Sequence, residues 1–270
     1  MQDNVAGVFD RRLSAHSNAG ESEATILVKA LPQVGEKHGE TVCVAAIDAY
    51  RNWVRLYPVA FRQLEDAQKF KRWQRIKYRW RLPPAHRDNR RESRNISQES
   101  ITTVGQLKPD DRAAFLEPLV VSSTKREFEA GRSLALVRPE APEFFIRRRD
   151  PEAIKERRQS YKKLLASPDM FGARDIVPLE PAPYDFGFRY KDADGKHDCR
   201  CHDWEIEQTF LSWRSRYGEA ETLRLMADTF GERYPSEGML LAMGTHSRYP
   251  DKWMIVGVLK VPRPTQPPLF

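Results

Sequence analysis

Between Arg75 and Leu82 the chain reads RIKYRWRL, with an apolar residue at every second position. Ile76, Tyr78, Trp80 and Leu82 fall on one side, and Lys77, Arg79 and Arg81 on the other. A repeat of two belongs to a pleated strand, whose successive side chains point to opposite faces. Wound as a helix, the same residues would scatter apolar and charged groups around the whole circumference. The stretch is therefore held to one conformation, a strand with one buried face and one cationic face in water. Pro83 and Pro84 end it.

This strand lies in the most unbalanced part of the chain. Arg62–Ile96 contains twelve Lys/Arg against four Asp/Glu, a net charge of +8, whereas all 270 residues together carry +7. The remainder is thus close to neutral. Phe70, Trp73, Tyr78 and Trp80 are interleaved with the bases. A concentrated cationic track with flat rings in it is what a phosphate backbone and its bases select. The candidate contacts are Lys71, Arg72, Arg75, Lys77, Arg79, Arg81, Arg87, Arg90, Arg91 and Arg94. Trp53, Arg55 and Tyr57, from a neighbouring apolar segment, and Trp73 are expected to add stacking and further charge. Alternate residues of a strand stand about 6.6–6.8 Å apart, a spacing compatible with successive phosphates. The competing reading is an edge strand that uses Lys and Arg to block aggregation. Two or three charges suffice for that, and +8 exceeds them.

The rest of the chain reads as short strands between turns. ATILVKAL, HGETVCVAAID and NWVRLYPVAF precede the basic segment, and AHRDNRRESRNI after it is expected to be an irregular loop. Helix is expected from Pro109 to Gly131, broken near Pro118, and again from Pro151, with SLALVRP and EFFIRR as strands between them. YDFGFRYKDADGKHDCRCHDWEI reads as a hairpin turning at Asp194-Gly195. Helices about Glu205–Tyr217 and after Gly218 follow, then strands GMLLAMGTH and KWMIVGVLKV. The expected organisation is a tail (1–22), a first lobe (23–105), a helical connector with short strands (106–170) and a second lobe with a helical insert (171–270). The fold class is α+β, with two small antiparallel β-barrel lobes and connecting helices.

One resemblance bears on these lobes. CVAAIDAYRNWVRLYPV resembles the CVAGID…G.WIRL signature of the dual OB-containing domain family of bacterial proteins, with Ala46 in place of a Gly and Leu56-Tyr57-Pro58 in place of a shorter Arg-Pro. Asp203 in CHDWEI and the pair LLAMGTH…KWMIVGV resemble that family's later parts. The resemblance implies two OB-like barrels, nucleic-acid binding, and association with antiviral-defence or mobile-element systems. It implies no catalytic residue.

A second cluster, HDCRCHDWEIE from His197, is dense in potential ligands. His197, Cys199 and Cys201 share one face of a strand, and with His246 or Cys43 as a fourth ligand they would suit Zn²⁺. Two small half-buried core cysteines explain the same pattern. Asp203, Glu205 and His246 are candidates for a Mg²⁺-dependent nuclease. The alternative is that Asp203 caps a helix and Glu205 and Glu207 complement its dipole.

No stretch of 18 apolar residues marks a membrane span, no apolar leader opens the chain, and three cysteines give no disulfide framework. The expected setting is the cytoplasm. Phosphate-loop, dinucleotide and acyl-transfer motifs are missing from the sequence, as are a helix-turn-helix and a zinc finger. Single-stranded or structured DNA or RNA is therefore the expected partner, with no cofactor. A protein partner from a neighbouring gene, docking on the basic segment, is the third reading.

Overall fold

The computed structural model describes residues 17–35, 38–166 and 177–263. Of the expected tail, residues 1–16 lie outside these, as do residues 167–176, where the expected connector meets the second lobe.

The first half builds β1 (Ala19–Lys29), β2 (Gln33–Gly35), β3 (Gly39–Asp48), β4 (Trp53–Val59), β5 (Gln74–Arg81) and β6 (Ser93–Gln106). Strand β1 pairs with both β3 and β5, and the order β1-β5-β6-β4-β3 closes on itself as a five-stranded barrel. All its pairings are antiparallel except β4 with β6. Ala24, Ile26, Val44, Leu56, Ile76 and Tyr78 fill the interior. Ile76 and Tyr78 are the inward positions of the alternating strand, and Lys77, Arg79 and Arg81 are exposed. Period two is therefore realised as expected. Residues 19–22, expected in the tail, open β1, and Ser93–Ile96, expected in a loop, open β6.

The connector region supplies α1 (Arg112–Leu116), β7 (Val120–Val121), α2 (Thr124–Glu129), β8 (Leu134–Val137), β9 (Glu140–Arg148) and α3 (Pro151–Ala166). Ser123 caps α2 by accepting from the Arg126 N–H at 3.0 Å. Next come β10 (Tyr184–Asp192), β11 (Gly195–Arg200), α4 (Trp204–Tyr217), α5 (Glu219–Met226), α6 (Tyr234–Glu237), β12 (Met239–His246) and β13 (Tyr249–Lys260). The second half, expected as another small barrel, forms two open sheets among the described residues, β11-β10-β9 and β13-β12-β8-β7.

The four-stranded sheet is the middle layer. Leu134, Leu136, Leu240, Ala242 and Leu259 pack on the outer barrel wall at Leu27, Val28, Ala45 and Ile47. Their neighbours Ala135, Val137, Leu241, Met243 and Val258 pack the other way, against Phe186, Phe188, Ile206, Phe210 and Phe230. Both faces are covered, so β8 and most of β12 are buried without a break. Contact with the barrel is close enough that a Cβ at Gly257 would lie 2.3 Å from Val28 Cγ2.

Candidate functional site

Cross-strand neighbours decide how much of the cationic strand is free. The β1–β5 register sets Glu21 opposite Arg79 and Glu23 opposite Lys77, and paired residues share a face. Arg75 lies 3.4 Å from Glu23, and Arg79 lies 3.7 Å from Glu99 of β6. Arg62, at the start of the basic segment, pairs with the buried Glu40 at 2.8 Å. Acids distant in sequence thus answer much of the charge that looked unbalanced. Lys71 is exposed beside them.

Other candidates are structural. Arg72 is largely buried, with Nη2 2.8 Å from Asp203 Oδ2 and 3.1 Å from Glu205 Oε2. Trp73 is 7% exposed within the core between barrel and middle sheet, and the Arg112 guanidinium lies 4.5 Å from its ring centre. Trp53 packs against the same core. Neither ring is an open stacking platform. Trp80 is covered by Arg94 at 4.7 Å and donates to Ser22 Oγ at 2.7 Å.

The remaining cations converge on a cleft of about 480 Å³ in the barrel wall. Its floor is the outer face of β1, β3 and β4, including Val28, Thr41, Cys43, Ala45, Arg55 and Tyr57. The β5–β6 loop and its flanks bring Arg81, Arg87, Arg90 and Arg94, and the β1–β3 connection brings Leu31, Gln33 and His38. The end of β12, its turn and β13 close the other side with Thr245, His246, Ser247, Met254 and Val256, beside His202. Among the described residues, five arginines and three histidines thus face one acid, Asp88. Arg91 is exposed on the same loop.

Asp88 does not neutralise the cleft, because Arg90 uses it. Arg90 donates to both Asp88 oxygens at 2.8 and 2.7 Å, and its Nη1 donates to the Thr245 carbonyl at 2.8 Å. The loop is thereby pinned to β12. Burial opposes ionisation of Asp88, but hydrogen bonds from Arg90 and Ser93 hold its carboxyl below the ordinary value.

Arg55 is 5% exposed and makes no ion pair among the described residues. Its Nη2 donates to the Ser133 carbonyl at 3.0 Å and Oγ at 3.2 Å, and its Nη1 reaches only Cys43 Sγ at 3.5 Å. Glu92 is kept from it by Ser133, whose N–H and hydroxyl both donate to that carboxylate. Arg55 Nε and Thr245 Oγ1 are buried without a partner. An unsatisfied buried polar group costs about 1–3 kcal/mol, so the lining carries unspent binding capacity. Burial first, then Arg90, Arg248 and Arg55, push the His246 pKa down. Burial and Arg200 push that of His202 to about 4. Both rings are neutral at pH 7.

The nuclease candidates do not meet. Asp203 is 2% exposed, with its carboxylate engaged by the Glu205 N–H (2.9 Å), the Val258 N–H (2.8 Å) and Arg72. It caps α4, as the competing reading of the sequence has it, and neither it nor Glu205 lines the cleft that His246 faces. The zinc candidates share the core-facing side of β11. His197 pairs with Asp192 at 2.6 Å and stacks on Tyr190, while Cys199 and Cys201 are half-buried and buried. Burial raises both thiol pKa values. Among the described residues no three His, Cys, Asp or Glu side chains are grouped to hold a metal ion. Among the described residues no helix is long and apolar enough to cross a membrane.

Of the residues lining the cleft, the sequence marks Arg55, Tyr57, Arg81, Arg87, Arg90 and Arg94 as nucleic-acid contacts and His246 and Cys43 only as metal or catalytic candidates, and it does not mark His38, His202 or Thr245. Nothing in the sequence ties those three to the basic segment. They arrive through chain reversals that only pairing defines.

A family model described as Domain of unknown function (DUF8757) matches residues 119–270, and one described as Domain of unknown function (DUF8758) matches residues 21–120. Their junction falls where the barrel half gives way to the layered half. No curated protein matches the chain. A solved structure described as "Molecular basis for abrogation of activation of pro-inflammatory cytokines" is similar over 68% of this chain and 75% of its own, at 9% identity and a TM-score of 0.29. A likeness of that size carries no argument.

Proposed function

The chain belongs to the family described as Domain of unknown function (DUF8757), and on that premise, which leaves its activity to be read from its own surface, we propose that it binds single-stranded or structured nucleic acid in the cationic cleft. The observation that carries this reading is the convergence of Arg55, Arg81, Arg87 and Arg94 on one concave site whose only acid among the described residues is already paired. Phosphate is the common biological anion that such a set of guanidinium groups matches in geometry and charge.

The barrel supports the same reading. Numbered in chain order, its strands run first, second, third, fifth, fourth and back to first, with the third and fifth parallel. We read that order as the Greek key of an OB-type barrel, and OB barrels take oligonucleotides on the face of their second and third strands, between the first–second and fourth–fifth loops. Here those strands are β3 and β4, and those loops are the segments carrying His38 and Arg87 to Arg90. The cleft lies between them.

Titration of a labelled single-stranded oligonucleotide between 50 and 200 mM KCl tests it. Affinity is expected to fall with salt, and replacing Arg81, Arg87 and Arg94 by Gln is expected to reduce the log–log slope by about 0.7 per lost contact. Replacing Arg75 and Arg79, whose charges Glu23 and Glu99 already answer, is expected to change it far less. An unchanged slope in the cleft variant overturns the assignment.

A further inference from the structure

The cleft has the dimensions of a compartment more than of a groove. About 480 Å³ is a small-ligand volume, within the usual range of about 300–1,000 Å³. A groove that tracks a strand along an OB barrel spans about 4–16 nucleotides. Here the outer barrel face is interrupted by the end of β12 and its turn, so Thr245, His246 and Ser247 stand across one end of the cleft. The Arg90 hydrogen bond to the Thr245 carbonyl ties that wall to the β5–β6 loop.

The chemistry inside is divided in the same compact way. Leu31, Tyr57 and Met254 give an apolar surface that is not used up by the core. Against it stand Arg55, which no described carboxylate pairs and whose Nε has no acceptor, and the Thr245 hydroxyl, which has no partner. Arg87 and Arg94 line it from the loop and its flank; Arg94 lies over Trp80 and gives its Nη1 to the Arg91 and Ser93 carbonyls at 2.8 and 2.9 Å, but no described carboxylate pairs with it. A phosphodiester inside a strand carries one negative charge and needs an exit for the chain on both sides. A phosphomonoester carries about −1.5 to −2 at pH 7 and needs one exit. Several unanswered guanidinium groups in a compartment walled at one end fit the monoester better.

We propose that the cleft captures one nucleotide bearing a terminal phosphate, with the base on the apolar surface and the phosphate held by Arg55, Arg87 and Arg94. The inference rests on the reading of the cleft as the nucleic-acid site, and it names the part of the ligand that the cleft takes. The same chemistry is presented by the end of a strand and by a free mononucleotide.

Full-length protein would be titrated, by competition against a labelled 5′-phosphorylated oligothymidylate, with four unlabelled probes: the same oligonucleotide with a 5′-phosphate, with a 3′-phosphate and with neither, and thymidine monophosphate. A terminal phosphate at one end is expected to strengthen binding about tenfold or more. Arg87→Gln, on the exposed loop, is expected to erase the difference between phosphorylated and unphosphorylated probes. Thr245→Val, nearly isosteric at a hydroxyl without a partner, is expected to reduce that difference while thermal stability is kept. If the monophosphate competes as well as the phosphorylated oligonucleotide, the proposal stands with the free nucleotide as ligand. Equal binding of all three oligonucleotides with an intact salt slope overturns the inference and leaves nucleic-acid binding standing. Binding of the monophosphate, measured directly by calorimetry, where no oligonucleotide binds overturns the broader reading alone. Binding of no probe overturns both.

Discussion

Arg72 Nη2 lies 2.8 Å from Asp203 Oδ2, a largely buried ion pair that joins the entry of β5 to the cap of α4 across 131 residues. The same guanidinium donates to the Val258 carbonyl at 2.6 Å, and the same carboxylate accepts from the Val258 N–H at 2.8 Å. Barrel, middle sheet and helical layer are tied at one point. Desolvation opposes the Arg72 charge, but Asp203 and Glu205 outweigh it and raise its pKa.

Asp203→Ala is therefore expected to unfold the protein more easily, not to remove an activity selectively. Removing that carboxylate leaves the buried Arg72 only the half-exposed Glu205 at 3.1 Å, a loss up to the about 3–5 kcal/mol of a broken buried pair. Urea unfolding followed by tryptophan fluorescence measures it. Arg72→Met with Asp203→Leu is expected to recover part of the loss, since neither buried charge remains and only the half-exposed Glu205 loses its counter-ion. A single variant as stable as the parent would show that the pair does not hold the layers.

Gly257 sets the distance between the middle sheet and the barrel. A Cβ there would meet Val28 Cγ2 at 2.3 Å but Val28 Cβ only at 3.4 Å. Gly257→Ala is expected to cost about 1–3 kcal/mol through overpacking, and Val28→Ala in the same chain is expected to return part of it. Thermal or urea unfolding of both single variants and the double closes the cycle. Additive losses would show that the two residues do not meet.

His202 predicts a pH dependence. Its folded pKa is about 4 against 6.5, through burial first and then Arg200, with Arg149 and Arg157 acting in the same direction and Asp185 opposing them. The unfolded chain takes up this proton below about pH 6.5, and the folded chain does so only near pH 4. Its contribution is therefore full above pH 6.5 and lost as pH falls towards 4, at no more than about 1.4 kcal/mol per unit. His202→Gln is expected to show a shallower decline of Tm across that window. Parallel curves for parent and variant would remove His202 as the cause.

Four of the five barrel strands are legible in the sequence, because each has an apolar run or strict alternation bounded by turn residues. Strand β6 is not. In SRNISQESITTVGQ the inward Ile101 is five positions from Ile96, an odd step that breaks period two. The pairing shows why: Lys77 faces Thr102 while Arg79 faces Ser97, so β6 carries extra residues that switch the side presented to the core. An irregularity of that kind leaves no local signature. The second half misleads differently. Its strands are read in place except β7, which falls in the stretch expected as helix, but whether a set of strands closes depends on a pairing between its first and last members, which no local pattern encodes.

The cationic segment separates the two levels most plainly. Its sequence alone determines that Arg75–Arg81 is a strand, which side faces water, and that the loop after it is rich in arginine. Those follow from backbone period and from turn chemistry, both local. Which of its charges remain available is decided by tertiary structure. Glu23, Glu99, Glu40 and Asp203 come from elsewhere in the chain to answer Arg75, Arg79, Arg62 and Arg72, while Arg55 is buried with no acid within ion-pair distance among the described residues. The physical reason is the range of the interaction. A charge counts as free only when nothing opposite stands within a few ångströms, and the chain sets that distance by folding.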